Sequence, residues 1–301
     1  MTSAPAIIGL GEVLWDCFPD RRLPGGAPAN VAFHAQQLGL TAAVATRVGR
    51  DALGDELIGF LQSQGLATEL VQRDPLHSTG TVTVESHNAG TKYVFLENSA
   101  WDFLEATPEW LAALSQAKAV AFGTLAQRGP VSRTAIQRCL DAVSDGCLVV
   151  YDINLRPPFF DAAAIERSLE QATIVKFNDE EARTLQPLLG GPFGSEIEFA
   201  RWLVRTRGLE AVCITRGANG AVAVTADGVV EAPGVPVTVV DTVGAGDAFT
   251  AALIWARLNA WPWDRAVRLA NQAGALVASR PGAMPVLRAE LKALQSSVTI
   301  N

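Results

Sequence analysis

Short apolar runs alternate with helical patterns along most of this 301-residue chain, and this alternation limits the fold more than any other feature. Parallel strands need a crossover connection, usually a helix, so the alternation predicts an α/β sandwich with a mostly parallel central sheet. The predicted strands are Ala6–Gly9, Ala42–Val48, Ala119–Phe122, Leu148–Asp152, Ile174–Phe177, Ala211–Thr215 and Ala221–Val224. The predicted helices are Pro28–Leu38, Leu53–Gln64, Pro108–Leu114, Ser132–Val143, Asp161–Gln171, Asp179–Leu189, Ile197–Arg207, Ala248–Leu258 and Trp263–Ala278.

One region departs from this alternation. Thr79–Phe95 alternates with a period of two, which predicts a hairpin with its turn near Asn88-Ala89-Gly90. A second extended piece, Val13–Leu23, is expected to join it. Because no linker or repeat interrupts the chain, we predict one domain over 1–301 with a small β-sheet lid from about 13–23 and 79–105. A homodimer through this lid is left open.

Composition and charge exclude several classes of protein. Hydrophobic residues make up 49% of the chain and charged residues 18%, a balance typical of globular domains with a large core. The net charge is −7 and the longest basic tract is Arg21-Arg22, so we expect no nucleic acid and no membrane as partners. The N-terminal residues do not follow the pattern of a secretion signal, and no apolar segment is long enough to span a bilayer.

The cysteines and histidines form no pattern of metal ligands. The cysteines make no CxxC pair and the histidines are scattered, so we predict neither a zinc site nor a disulfide framework. These residues are Cys17, Cys139, Cys147, Cys213, His34, His77 and His87. A cytoplasmic enzyme or binding protein remains.

Two common phosphate-binding loops are absent from the sequence. Gly9-Leu10-Gly11-Glu12 begins like a dinucleotide fingerprint, but its third glycine is missing and no helical pattern follows at once. The P-loop pattern GxxxxGK[ST] does not occur. A chain of this sequence that handles phosphate must use another loop.

The segment DTVGAGD, Asp241–Asp247, is a candidate for that loop. It follows the valines 237, 239 and 240, which predict the end of a buried strand, and it precedes an apolar helix. Gly244 and Gly246 allow close approach of a ligand, and the N–H groups of the helix N-terminus favour an anion. Asp247 alone could be a helix cap, but capping explains neither the two glycines nor Asp241.

A second candidate site precedes the first helix. Gly25-Gly26 frees the backbone, and Pro28 suits a first helical turn; a simple loop-to-helix turn is the alternative. Asn30 offers a donor and an acceptor together on that turn. Asp16 is a single acid among apolar residues, and it could converge with Asn30 on one polar ligand.

The segments GGAPANVAFHAQQLG and DTVGAGDAFTAAL resemble the two signatures of the ribokinase-like (PfkB) family of carbohydrate kinases. The intervening segments DINLRPPFF, KFNDEEA and ITRGANGA match in the same order, and the similarity extends from Gly9 to Pro285. GEVLWD, GGAPANVAFH, AWDF and DINLRPPF most resemble the fructokinases. The resemblance implies a three-layer ribokinase-like sandwich.

The resemblance also implies roles for the candidate residues. Gly244, Ala245 and Gly246 would form an anion hole for the transferring phosphoryl group, and Asp247 would take the proton from the sugar hydroxyl. The sugar would be bound by Asp16, Gly25, Gly26 and Asn30, with Arg156 as a phosphate contact.

On the nucleotide side, the resemblance assigns Asn178 and Glu181 to magnesium and phosphate, with the metal held through water. Complementation of the helix dipole by the acidic first turn is the alternative. Thr215, Gly217 and Gly220 would lie along the nucleotide, although these residues alone predict a hairpin. The remaining matches are Asn271 at the adenine edge, and Asp241 with the loop Ser279–Ala283 at a monovalent-cation site.

The resulting expectation is an ATP-dependent kinase of a free sugar, with Mg²⁺ as cofactor and K⁺ left open. D-fructose, converted to fructose 6-phosphate, is the favoured substrate, and Trp15 or Trp101 is expected to cover the sugar. The alternatives are a kinase of 2-keto-3-deoxygluconate, ribose or a nucleoside, or a non-catalytic sugar- or nucleotide-binding protein on the same fold.

Overall fold

The computed structural model describes residues 4–87, 90–191 and 194–300 of the chain. Its strands are β1 Ile7–Leu10, β2 Leu14–Cys17, β3 Arg22–Gly25, β4 Ala42–Gly49, β5 Val71–Asp74, β6 Thr81–His87, β7 Gly90–Phe95, β8 Ala119–Gly123, β9 Leu148–Asp152, β10 Ile174–Asn178, β11 Ala211–Thr215, β12 Ala221–Thr225 and β13 Val229–Ala232. Its α-helices are α1 Ala27–Gln37, α2 Ala52–Ser63, α3 Pro108–Leu114, α4 Pro130–Leu140, α5 Ala162–Gln171, α6 Asp179–Leu188, α7 Glu196–Arg207, α8 Ala245–Leu258, α9 Trp263–Ala278 and α10 Arg288–Ile300.

Nine strands form the central sheet, in the order β13-β12-β11-β10-β9-β8-β1-β4-β5. The pairs from β11 to β5 are parallel, and β12 and β13 are added antiparallel at one edge. Strand residues alternate between two apolar clusters: Ile7 and Val150 lie in one, Ile8 and Val149 in the other. Helices α1, α2 and α8–α10 cover one face and α3–α7 the other, which confirms the predicted three-layer α/β sandwich.

A separate four-stranded sheet, called the small sheet below, has the order β3-β2-β6-β7. Its pairs β2–β3 and β6–β7 are antiparallel, and β2–β6 is parallel. The hairpin and the additional extended piece are therefore present as predicted, whereas the predicted turn at Asn88-Ala89 lies outside the described residues. Val82 and Val84 are buried, so this sheet has an apolar face of its own.

The sequence prediction was wrong around the valines 237, 239 and 240. Their side chains are 39%, 60% and 58% exposed, and the segment lies outside any strand. The N–H groups of Val240 and Asp241 both bond to the carbonyl of Ala278, at the end of α9, instead of to a neighbouring strand. Helix α8 also begins earlier than predicted, at Ala245, so the glycine-rich segment forms its first turn.

Within the described ranges, no helix is long and apolar enough to cross a membrane.

Candidate active site

A cleft of about 850 Å³ lies between the small sheet and the carboxyl ends of the central strands. In open α/β sheets this edge is where ligands usually bind. Leu14, Val82, Tyr93 and Phe95 line the cleft from the small sheet. Most predicted site residues line it too, namely Asp16, Gly26, Asn30, Arg156, Asn178, Thr215, Gly217, Gly220, Gly244, Ala245, Gly246, Asp247 and Asn271. Gly25, Glu181 and Asp241 lie outside the lining.

The first turn of α8 opens onto this cleft. Gly244 occupies the N-cap position with φ +79°, a left-handed conformation that favours glycine. A Cβ there would lie 2.6 Å from the carbonyl oxygen of Ala283, so the backbone packing also requires glycine. The first N–H groups of a helix have no intrahelical partner. The N–H of Ala245 donates to the carbonyl of Thr242 at 3.3 Å, and the remaining N–H groups of this turn can be offered to an anion in the cleft.

Asp247 lies in this same turn and is 7% exposed. Its Oδ2 accepts a hydrogen bond from Asn30 Nδ2 at 2.7 Å, which joins the first turns of α1 and α8. Burial, helped by the charge of Asp152, raises the pKa of Asp247 to about 6, although the Asn30 hydrogen bond acts to lower it. A carboxylate with this pKa is mostly ionised at pH 7 and can accept a proton.

Sequence reasoning missed Lys176, which lines the cleft from β10 and is 6% exposed. Its Nζ donates to both oxygens of Asp152, at 3.1 and 2.9 Å, and Asp152 also accepts from the hydroxyl of Thr250 at 3.1 Å. A Cβ on Gly246 would lie 2.7 Å from the Lys176 ammonium nitrogen. A lone lysine in the apolar strand IVKF was a usable signal, because lysine is rarely buried without a partner.

Glu12 was also missed, and it supports the first turn of α1. Its Oε1 accepts the N–H of Ala27 at 3.2 Å, in place of the side-chain cap that Gly26 cannot provide. Burial raises the pKa of Glu12 to about 7, and its Oε2 is buried without a hydrogen-bond partner in the described structure. Glu12 thereby helps to hold the turn that presents Asn30 to Asp247.

The other end of the cleft combines Asp16, Arg156 and Tyr93. Burial raises the pKa of Asp16 to about 6, while the nearby charge of Arg156 acts to lower it. Gly25 lies behind this acid, since a Cβ there would be 2.6 Å from Asp16 Oδ2. Arg156 is exposed and Tyr93 is 45% exposed, so both reach a space that a ligand can fill.

The expectation that Trp15 or Trp101 covers the ligand was wrong. Trp15 is 5% exposed and donates from Nε1 to the carbonyl of Leu53 at 3.0 Å. Trp101 is 1% exposed and stacks under the guanidinium of Arg128, whose Cζ is 4.0 Å from the ring centroid. Both indoles anchor the small sheet and its connections, and the aromatic rings that line the cleft are those of Tyr93 and Phe95 together with Phe249.

Asn178 and Glu181 form a capping box at the start of α6. The Asn178 side chain accepts the N–H of Glu181, and Glu181 Oε2 accepts the N–H of Asn178, each at 2.8 Å. Glu181 Oε1 accepts the N–H of Leu155 at 2.7 Å. The helix-terminus alternative is therefore present in the structure, and only Asn178 of the pair faces the cleft.

The remaining candidates lie in the cleft wall or, for Asp241, close to it. Thr215 ends β11, and the turn through Gly217 and Gly220 leads into β12, as expected for a hairpin. Asn271 donates to the carbonyl of Pro233 at 2.8 Å and so fixes the segment that carries the exposed valines. Asp241 accepts the N–H groups of Val243 and Gly282, both at 3.0 Å, which ties it to the loop 279–283.

These features are typical of a phosphotransferase site: the N-terminus of a helix opens onto the cleft, and a buried carboxylate lies beside it. The pfkB family carbohydrate kinase profile matches residues 11–289. The chain therefore belongs to the pfkB family of carbohydrate kinases, and it is a sugar kinase.

Individual relatives agree with this assignment. The chain is 30% identical to the fructokinase of Escherichia coli over 304 residues, which cover 92% of this chain and 94% of the relative. Vibrio cholerae fructokinase, solved with fructose, ADP and calcium, is 28% identical to this chain in sequence. The two structures match with a TM-score of 0.82, over 97% of this chain and 99% of the fructokinase. Aminoimidazole riboside kinase of Salmonella enterica, solved with aminoimidazole riboside and an ATP analog, is 26% identical, with TM-score 0.81 and coverage of 96% and 99%.

Proposed function

We propose that this kinase transfers the γ-phosphoryl group of ATP to a hydroxyl of a free sugar, and that D-fructose, giving fructose 6-phosphate, is its substrate. The observation that carries the proposal is the position of Asp247, buried in the first turn of α8 and hydrogen-bonded to Asn30 inside the cleft. A carboxylate beside the N–H groups of a helix N-terminus combines a proton acceptor with an anion site.

In the proposed reaction, Asp247 accepts the proton of the attacking hydroxyl as its oxygen approaches the γ-phosphorus. The N–H groups of Gly244–Gly246 stabilise the negative charge on the transferring group. Arg156 is exposed at the cleft and would contact phosphate oxygens from the opposite side. The electron pair of the broken bond leaves with ADP.

Asp16 and Asn30 are proposed to hold the sugar. A carboxylate accepts hydrogen bonds from two hydroxyls. The side-chain amide oxygen of Asn30, Oδ1, is buried without a hydrogen-bond partner in the described structure. Gly25 leaves room for the Asp16 carboxylate. Gly26 allows the start of α1 to pack closely against the backbone of Glu12 and Val13. Tyr93 and Phe95 would cover the sugar when the small sheet closes as a lid and excludes water.

ATP is proposed to lie along Thr215, Gly217 and Gly220, with its base between Asn271 and the exposed valines 237 and 239. The apolar valine side chains suit an aromatic base, and the glycines leave the backbone accessible. Relatives solved with ATP, an ATP analog or ADP support this choice of donor.

Magnesium is implied by the family, and the residues present fit a loosely held ion. Both Glu181 oxygens already accept backbone N–H groups, and the described residues contain no cluster of three or more acidic, His or Cys ligands that could hold a metal. Mg²⁺ in kinases is commonly held by substrate phosphates, water and one or two protein groups, which would be Asn178 and, through water, Glu181. When bound, Mg²⁺ neutralises charge on the phosphate oxygens. A monovalent cation such as K⁺ is proposed beside Asp241 and the loop 279–283.

A homodimer through the small sheet also forms part of the proposal. β7 is an edge strand of this sheet; Val94 in this strand and Leu96 just after it are 40% and 41% exposed. An unprotected edge with apolar side chains can pair with another chain.

All four cysteines are free, which supports a reducing compartment such as the cytoplasm.

The proposed function is tested by measuring ADP release with fructose, ribose, 2-keto-3-deoxygluconate and a nucleoside, each varied at saturating MgATP. The proposal expects the highest kcat/KM with fructose and a product phosphorylated at the 6-hydroxyl. Higher kcat/KM with another sugar would reject fructose as the substrate. No sugar-dependent ADP release with any compound, despite measurable ATP binding, would favour the non-catalytic alternative.

A nucleoside is the second candidate substrate, because the Salmonella structure contains a riboside and Tyr93 and Phe95 offer aromatic faces at the mouth of the cleft. Aromatic side chains can stack on a base. A kcat/KM that is higher for a riboside than for fructose in the same assay would establish this alternative.

A further inference from the structure

We propose that Lys176 is a further catalytic residue of this sugar kinase: its ammonium group contacts the phosphoryl group during transfer from beneath the Gly244–Gly246 turn. The first support is its position. Lys176 projects from β10 on the same side of the central sheet as α8, and it lines the cleft together with Gly246 and Asp247. Gly246 has no side chain in the space between the helix turn and the Lys176 nitrogen.

The second support is the hydrogen bonding of the ammonium group. Lysine has three N–H donors, and the partner that the structure gives to them is Asp152, through its two oxygens. A donor is therefore left for a group in the cleft, where the N–H groups of α8 also converge. Thr250 donates to Asp152 and fixes the carboxylate that orients the lysine.

The third support is the charge of the surroundings. The Lys176 ammonium nitrogen lies 2.9 and 3.1 Å from the two oxygens of the buried Asp152 carboxylate, and Asp247 lines the same cleft. Lys176 therefore places a positive charge among these carboxylates. Acidic residues would otherwise leave this part of the cleft poorly suited to a phosphoryl group.

The proposed step balances without a proton from Lys176. The sugar oxygen forms a bond to the γ-phosphorus, its proton passes to Asp247, and the bond to the β–γ bridging oxygen breaks with its electron pair on ADP. Lys176 stays protonated throughout and donates a hydrogen bond to an oxygen of the transferring group. Its contribution is greatest when charge is redistributed in the transition state.

The test must separate this role from a structural ion pair. Lys176→Met leaves the buried Asp152 carboxylate without its counter-ion, whereas Lys176→Met/Asp152→Leu removes both charges and should restore the thermal midpoint. We expect both variants to lose at least about 100-fold in kcat, the size of loss seen when one charge-stabilising donor is removed. A double variant that regained kcat to within threefold of wild type would show that Lys176 only balances Asp152.

A second measurement applies even if the double variant does not fold. Lys176→Gln keeps a donor for Asp152 but removes the charge, and its affinities are measured for MgADP alone and for MgADP with aluminium fluoride and sugar. We expect the aluminium fluoride complex, which mimics the transferring group, to weaken at least tenfold more than MgADP. Equal weakening of the two complexes would overturn the proposal.

Discussion

Asn30 donates a hydrogen bond to the buried carboxylate of Asp247, although the two residues are 217 positions apart in the chain. The contact joins the first turns of α1 and α8 across the floor of the cleft. It engages one carboxylate oxygen, and in the proposed mechanism the other oxygen accepts the proton of the substrate. The two glycine-rich segments of the sequence are therefore parts of one site.

This contact predicts a change in pH dependence when Asn30 is replaced. The pKa of Asp247 is about 6, and the Asn30 hydrogen bond acts to lower it. Because the base must be ionised, kcat/KM should rise with pH through an apparent pKa near 6 in the wild type. In Asn30→Ala the pKa should rise, so the acid limb should move to higher pH. A limb that kept its position, or moved to lower pH, would contradict this role.

The Gly244 position predicts a stability effect with a matched control. Gly244 and Gly39 both have positive φ, +79° and +94°, so alanine is strained at either site. Only at Gly244 would the new Cβ also meet backbone, 2.6 Å from the carbonyl oxygen of Ala283; at Gly39 nothing lies within 4 Å. Gly244→Ala should therefore lower the thermal midpoint more than Gly39→Ala, and it alone should reduce kcat. Equal shifts would show that the contact with Ala283 is relieved without strain.

The proposed magnesium role of Glu181 can be tested with Glu198, a glutamate in another capping box, as the control. Glu181 closes the box of α6 beside the cleft, and Glu198 closes the box of α7 with Ser195. If Glu181 holds Mg²⁺ through water, Glu181→Gln should raise the magnesium concentration for half-maximal activity, and added metal should partly restore turnover. Glu198→Gln should leave that concentration unchanged. The same magnesium titration for Glu181→Gln as for wild type would restrict Glu181 to capping.

Asp16 is predicted to act on the sugar and not on the nucleotide. A buried site that loses one partner leaves hydroxyl groups unpaired, at roughly 1–3 kcal/mol each. Asp16→Ala should therefore raise the KM for fructose by at least about tenfold. Steady-state kinetics with each substrate varied in turn should show little change in the KM for ATP. A variant that changed only the ATP parameter would put Asp16 at the wrong end of the cleft.

Most of the central sheet could be predicted because its strands are apolar runs of four to eight residues with helices between them. β5 was missed since its sequence, VQRD, is largely polar and pairs only with β4 at the sheet edge. The valines before Asp241 have strand propensity, but the carbonyl of Ala278 takes the N–H groups of Val240 and Asp241. At this position the tertiary contact with α9 outweighs the strand propensity of the valines.

Some residues of the candidate site could likewise be predicted from the sequence, and others could not. Gly244, Gly246 and Asp247 could be found because a glycine-rich turn before a helix has a local physical meaning. Lys176 and Glu12 act through contacts with distant segments, the first beneath Gly246 and the second on the N–H of Ala27. Local sequence patterns do not encode which distant turn a buried charge will meet.

The most direct test of the central claim is the turnover of Asp247→Asn with saturating fructose and MgATP, measured by ADP release. Asparagine keeps the shape of the side chain but cannot accept the proton, and general-base contributions are about 10²–10⁴-fold. We predict that kcat falls by at least about 100-fold while the binding of sugar and ATP, measured by calorimetry, is largely retained. A variant that kept about a tenth of the wild-type kcat would show that the proton leaves by another route, and that Asp247 is not the base.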